Sequence, residues 1–450
     1  MRRAPCPSCS RPRWRASGAL AVGLFLAAVG DARAARVTEV ADAADGDDPF
    51  DAHFELRFDV VRHSGVLSRE NYQPPPSEPN GAARLVDVRE MSFDRVRFRA
   101  RPRLELGLFR DLAIFAEWPV VLWDQTRFRY AEGTSETNST LGRDQAPNDS
   151  PGVDSWDADG KPITEGAGNA DPQNQDGKYG FPGKAYNDWR FDHQKGGSFV
   201  GYRQGFDNPT FGLRFSPTSN ERNPSAPTTT VQLDYTAPLL SVMDPTNDQL
   251  SDADQPGPVG DGAHRFHASV AMSKRYAPLD PYFVIEYALP LPASGSALLG
   301  FFPRQSAACT LGVELQPFSD GGKEQVVLFD LAVEARYFSE GRDYSIASDV
   351  LREQTFVDQS LRMGLQGGVE FRWFDLFFLD LNGLVAHDTP HLLTKEIFGL
   401  DGNDEGSDVN LESAAERNPY FNPALDAVGR RVRIEQSLYL GAIVQLGATF

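Results

Sequence analysis

The sequence predicts an all-β protein: a closed antiparallel transmembrane β-barrel of about 12 strands, with short turns at one end and long loops at the other. Three observations carry this prediction. Apolar and polar residues alternate strictly over long segments that recur along the chain, the connections between those segments are short and long by turns, and the last alternating segment runs to the terminal residue, Phe450.

Strict alternation gives the two faces of one strand different environments. In "SFDRVRFRARPRLELGLF" one face carries Val96, Phe98, Ala100, Leu104, Leu106 and Leu108, and the other carries Arg95, Arg97, Arg99, Arg101, Arg103 and Glu105. Only Arg110 and Asp111 separate this segment from "LAIFAEWPVVLW", which puts Leu112, Ile114, Ala116, Trp118, Val120 and Leu122 on one face, as a tight hairpin would. The unit recurs in "MGLQGGVEFRWFDLFFLDLNGLV", with its turn near Phe374-Asp375. The same pattern places strands near 53–66, 90–109, 112–129, 207–217, 228–240, 264–276, 281–292, 305–318, 326–340, 359–374, 376–387 and 431–450.

Long polar connections fall at 130–206, 241–263 and 388–430. Such loops count against a compact soluble domain, but they suit the outer rim of a barrel. Hydrocarbon offers no partner to backbone N–H and C=O groups, so a sheet spans a membrane only when it closes on itself. An even strand number brings both termini to one end.

The amino terminus, "MRRAPCPSCSRPRWRASGALAVGLFLAAVGDARAARV", has an Arg-rich start, an apolar run and the small-residue site Ala32-Arg33-Ala34. It reads as a secretory leader over 1–34, cleaved after Ala34. A short acidic segment, 35–52, is then expected in the periplasm, followed by the barrel over 53–450. Cys6 and Cys9 fall in the leader, leaving Cys309 without an internal disulfide partner. Without the leader's six arginines and one aspartate, 38 basic and 62 acidic residues remain, a net charge of −24 that excludes nucleic acid as a partner.

The final segment, "RVRIEQSLYLGAIVQLGATF", places Val432, Ile434, Leu438, Leu440, Ala442, Val444, Leu446, Ala448 and Phe450 on one face. Arg431, Arg433, Glu435, Ser437, Tyr439, Gln445 and Thr449 fall on the other. This resembles the carboxy-terminal strand of Gram-negative outer-membrane β-barrel (porin-like) proteins. The resemblance implies an outer-membrane location, contact with outer-membrane lipid, and recognition of Leu446, Ala448 and Phe450 by the barrel-assembly machinery.

With apolar faces to lipid, the polar faces line a lumen. The candidate pore-lining residues are Arg95, Arg97, Arg99, Arg101, Arg103, Glu117, Asp234, Glu286, Glu314, Glu334, Glu370 and Arg372. Five alternate arginines in a narrow space need water, acidic neighbours or an anionic solute, because an unpaired buried charge costs several kcal/mol. Either a cross-strand salt-bridge network or a charge-selective constriction at Arg97, Arg99 and Arg101 satisfies that need. A second recurrence, "AEWPVV", "DYTAPLL" and "EYALPLP", sets Trp118, Tyr235 and Tyr287 outward as an aromatic girdle. Its prolines, Pro119, Pro238 and Pro290, are expected where strand pairing ends.

Catalytic motifs are absent: the sequence holds no HExxH, Walker loop or GxSxG. Asp154, Asp157 and Asp159 offer a weak divalent-cation site on a loop but fail the EF-hand pattern. His387 and His391 are separated by Pro390, which opposes a metal-binding helix. No cofactor and no enzyme activity are expected. The functional expectation is a porin-like channel for small hydrophilic solutes. Its rival is a filled barrel whose acidic loops bind an envelope or surface partner.

Overall fold

The computed structural model describes residues 35–41, 51–73, 84–140, 155–156, 162–163, 190–191, 197–220, 222–294, 300–320, 325–374, 376–400, 415–416 and 418–450. The predicted leader and the trio Asp154, Asp157 and Asp159 lie outside the described residues.

Twelve antiparallel strands form one closed ring. They are β1 (Ala52–Gln73), β2 (Arg84–Phe109), β3a (Leu112–Glu117) continued by β3b (Val120–Tyr130), and β4a (Ser198–Phe206) continued by β4b (Thr210–Thr218). There follow β5 (Thr228–Thr236), β6 (Ala263–Ser273), β7 (Leu279–Pro292), β8 (Ser306–Asp320), β9 (Gln325–Phe338), β10 (Ser360–Trp373), β11 (Phe377–Asp388) and β12 (Val432–Thr449). Each pairs with its neighbour in sequence, and β12 closes on β1 from His53↔Thr449 to Arg69↔Val432. The main chains of Ala52 and Phe450 exchange two hydrogen bonds of 3.0 Å, so the barrel uses its last residue to seal the seam. Both ends of the barrel chain therefore lie with the short turns, as an even strand number requires.

The apolar faces point outward. Leu104, Leu108, Ile114, Trp118, Phe211, Leu233, Ile285, Leu311, Leu331, Met363 and Leu446 are all exposed. Large apolar side chains standing in an unbroken band outside a closed sheet are the surface that hydrocarbon wets. Cys309 is exposed on the same outer face.

β1 and β2 have 22 and 26 residues, far more than the roughly 9 to 11 that cross a bilayer. With β3b, β4a and β12 they rise past the membrane, where their faces exchange roles. Leu67, Met91, Phe93, Phe128, Phe199, Val432 and Ile434 turn into a buried apolar cluster. The long loops supply its lid: Phe191, Ala347, Val350, Leu351, Val357, Leu393 and Leu425.

This corrects the uniform alternation read for β12. Gln436 adopts a left-handed conformation, φ 52°, and the pairing with β1 shifts register between Ser64 and Val66. Below this bulge Leu438, Leu440, Val444 and Leu446 face outward as expected. Above it Val432 and Ile434 are buried under the lid. Arg431, Arg433 and Glu435, expected in the lumen, meet Glu70, Asp87 and Arg89 on the strands beside them. One extra residue in a strand reverses every side chain beyond it.

Two further boundaries differ from the sequence reading. Residues 198–206, expected within a loop, form β4a. Pro119 marks an interruption within the third strand rather than its end, since β3b continues to Tyr130. Pro238 lies just past β5, and Pro290 is paired with Arg265 inside β7.

A β-branched side chain is strained in the left-handed region by about 1–2 kcal/mol, and glycine is not. Gln436→Val is therefore expected to lower the denaturant midpoint of the refolded barrel by that free energy, while Gln436→Gly leaves it unchanged or raised.

Candidate functional site

The lumen is the candidate site, and its two walls carry opposite charge. On one wall the arginine ladder of β2 is tied to carboxylates of the flanking strands. Asp59 on β1 accepts from Arg99 Nε at 3.1 Å and Arg101 Nε at 3.0 Å, with Arg57 Nε 3.7 Å away. Asp124 on β3b accepts from Arg95 through Nε and Nη2 at 2.8 and 2.6 Å, and from Arg97 Nε at 2.8 Å. Glu117 lies 3.8 Å from Arg101. Arg103 donates to Glu105 at 2.5 Å and stacks over the Phe115 ring, 3.8 Å from its centroid.

Asp124 was not legible in the sequence. The alternation that puts Trp118, Val120 and Leu122 outward would send Asp124 outward too. A register shift opposite Phe98 and Arg99 leaves both Leu122 and Trp123 exposed and turns Asp124 inward, where it is 2% exposed. Asp59 and Asp124 thus each gather at least two arginines, as does Glu105 with Arg103 and, at 3.4 Å, Arg214, and this wall keeps a positive excess.

The facing wall, β7 to β11, is acidic. Glu314, Asp330, Glu370 and Asp380 line one chamber, and Asp280, directly opposite Glu314 on the same face of the sheet, is buried. Glu286 and Glu334 share Arg336 at 2.6 and 2.9 Å, and Asp234 accepts from the His267 ring at 2.8 Å. His387 and His391 make local contacts with main-chain oxygens, of Ser437 at 2.5 Å and Thr389 at 2.8 Å. No cluster of three or more His, Cys, Asp or Glu suited to a metal occurs among the described residues.

Between the walls runs the amino-terminal segment. Residues 35–41, expected in the periplasm, lie inside the barrel, with a single 3-10 turn at Arg36–Thr38. The reason is charge complementarity that no local pattern reveals. Arg36 Nη1 donates to Glu370 at 2.8 Å and Asp380 at 3.0 Å, and its backbone N–H donates to Glu314 at 3.0 Å. Glu39 accepts from Arg372 Nη1 at 2.6 Å. On the basic wall, Arg214 Nη2 donates to the Val37 carbonyl at 3.1 Å and the Ala41 N–H donates to Glu105 at 3.1 Å. Thr230 donates to the Thr38 carbonyl at 2.7 Å. Three predicted site residues, Glu314, Glu370 and Arg372, thus hold the segment.

Arg36 also lies over the Phe378 ring, 4.1 Å from its centroid. That ring fills the space where a Cβ on Gly447 would stand, 2.1 Å from Phe378 Cε1. Gly447, three residues from the carboxy terminus, therefore makes room for the platform under Arg36.

A cavity of about 680 Å³ surrounds the segment. A second, of about 410 Å³, lies toward the outer end, where Arg95, Arg97, Arg99 and Glu117 face Asp207, Asp261 and Arg265. Above it Arg203 of β4a is tied to two outer loops, donating to Asp349 at 2.6 Å and to the Pro258 carbonyl at 2.7 Å.

A closed sheet with an apolar exterior and a charged interior leaves one class of protein. The chain folds as a transmembrane β-barrel. No protein-family model matches it, and no curated protein does. Among solved structures it is similar to the COG4313 outer membrane channel from Pseudomonas putida F1, with 10% identity and TM-score 0.38 over 91% of this chain and 100% of that one. It is similar too to a Pseudomonas aeruginosa FadL homologue, at 9% identity and TM-score 0.31, over 89% of this chain and 90% of that one. A third is the TodX monoaromatic hydrocarbon channel, at 10% and 0.34, over 89% and 91%.

Asp124→Ala strands two arginines in the wall. It is expected to cost about 3–5 kcal/mol, the price of an uncompensated buried charge, read as a lower denaturant midpoint. Among the outer loops, burial and the nearby Glu353 and Glu396 charges hold the Asp426 carboxyl up to about 7, despite hydrogen bonds from the Asn422 and Glu396 N–H groups. A raised carboxyl favours the neutral form in the folded state, so its contribution is full below the ordinary value near 3.8 and fades as pH rises through about 7. Protease nicking of the 389–431 loop is therefore expected to be slower at pH 5.5 than at pH 8, using an enzyme active at both.

Proposed function

We propose that this protein is an outer-membrane channel for small hydrophilic solutes, held shut by its own amino-terminal segment. The observation that carries this reading is the chemistry at membrane depth. The lumen between the walls is polar, the arginine wall faces a carboxylate wall, and the obstruction between them is held mainly by hydrogen bonds and ion pairs rather than by an apolar core. Opposed rows of charge create a transverse field that orders polar solutes and selects by charge. Contacts of that kind exchange with water at modest cost when several are weakened together, so a segment held in this way can leave.

The basic excess beside Arg57, Arg95, Arg97, Arg99 and Arg101 favours anionic groups on the solute. A second reading, a filled barrel working through its loops, draws support from the apolar lid over the outer mouth.

The deciding measurement is single-channel conductance of the refolded chain in planar bilayers, with reversal potentials in a salt gradient. Three proteins are compared: the chain starting at Ala35, one lacking 35–41, and Arg97→Ala with Arg99→Ala in the shortened chain. The expected outcome is small or rare conductance with the segment present, steady conductance without it, and a shift toward cation preference when the arginines are removed. A folded barrel that stays silent without the segment would support the loop-interaction reading instead.

A further inference from the structure

The acidic wall is under-compensated at one place. Asp280, Glu314 and Asp330 stand directly opposite one another across β7, β8 and β9, an arrangement in which like charges repel. Glu370 faces Asp380 across β10 and β11 in the same way. Most of these groups are answered. Arg36 bridges Glu370 and Asp380, Tyr282 donates to Asp330 at 2.8 Å, and Glu314 accepts the Arg36 N–H. Asp280 is the exception: it is 6% exposed, and neither of its oxygens has a hydrogen bond of ordinary geometry. The donors beside it are the backbone N–H groups of Ala35 and Lys274, with the Arg275 guanidinium within Coulombic range.

Ala35 is fully buried, and its carbonyl accepts both the N–H and the hydroxyl of Thr38 at 2.8 Å. Its nitrogen is thus held beside a buried carboxylate whose neighbouring donors are the Ala35 and Lys274 N–H groups, with Arg275 in Coulombic range. The sequence separately places leader cleavage between Ala34 and Ala35.

We propose that leader removal completes the plug: the α-ammonium of Ala35 is the counter-ion of Asp280, in a lumenal site built for the chain's own amino terminus. Hydrolysis of the Ala34–Ala35 amide by a leader peptidase consumes one water. It leaves a carboxylate on Ala34 and an amine on Ala35 that takes up a proton. The amide it replaces offers Asp280 one donor and no charge, whereas the ammonium offers three donors and a full positive charge. The buried site leaves Ala35 no exposed surface, which suits a small first residue. Seating of the plug is thereby tied to processing, since a chain with residues before Ala35 lacks the charge at that point. The inference concerns how the segment is anchored and does not depend on what the barrel conducts.

The test uses thiol accessibility, so that its failure is distinct from failure of the channel reading. Val40→Cys, in a Cys309→Ser background, is refolded in detergent as a chain starting at Ala35, as a chain with two extra residues before Ala35, and as the first chain with Asp280→Asn. Heat modifiability confirms that each barrel is folded, and Glu314→Gln serves as a second variant should Asp280→Asn fail to fold. Labelling by a bulky maleimide is expected to be roughly tenfold or more faster in the extended chain and in Asp280→Asn, as befits loss of a buried counter-ion. Combining the two should add little to either, because both remove one interaction. Sequencing of protein processed in cells should begin at Ala35. Equal labelling rates in all the folded chains, additive effects, or a different processed terminus would each overturn the proposal.

Discussion

The constraint on which the rest of this structure depends is that a backbone amide in hydrocarbon has no partner but another strand. Closure of β12 onto β1 answers it, and the pairing of Ala52 with Phe450 carries the seal to the last residue. Closure then fixes every other choice. Side chains alternate around the ring, so one set must suit lipid and the other must fill or line a narrow interior. A terminal aromatic on the outward set, Phe450, follows from the same logic.

The interior set is charged, and a charged interior must balance itself. On the basic wall the balance is local and comes from neighbouring strands, with Asp59 and Asp124 each collecting two arginines. On the acidic wall, neighbours make matters worse, because Asp280, Glu314 and Asp330 oppose one another in register. Balance there comes from a segment outside the barrel sequence, through Arg36 reaching Glu370 and Asp380. The plug is thus the counter-charge of the wall as much as an obstruction of the lumen. The same segment then presents Glu39 to Arg372, so the exchange of charge runs both ways.

Much of the fold was legible because the barrel's period is strictly two and each strand repeats it. The 12 strands, the short turns at one end and the outward Leu446 and Phe450 follow from residues taken in order. What escaped were single-residue departures from that period. The bulge at Gln436 and the register shift opposite Phe98 and Arg99 leave no mark in composition, yet each reverses the strand beyond it. They bring Asp124 into the lumen and Val432 and Ile434 under the lid, and turn Arg431 and Glu435 out of the lumen. Pro119 gave a hint of interruption, but a proline marks a break as readily as an end. The site residues show the same division: Glu314, Glu370 and Arg372 were recognisable as inward-facing, but not as ligands of the chain's first described residues.

By itself the sequence determined the class of the protein, a strand number of about 12, and which face of each strand meets lipid wherever the alternation is unbroken. Those properties are set by alternation, and alternation is local. The tertiary structure alone decided which charges meet, where the faces exchange, and that residues 35–41 enter the barrel. Those outcomes depend on contacts between residues hundreds of positions apart, such as Arg36 with Glu370 and Asp380, separated by 334 and 344 positions. No periodicity in one segment encodes a partner in another. Only closure of the ring brings the two together, in a narrow space where charge must be answered.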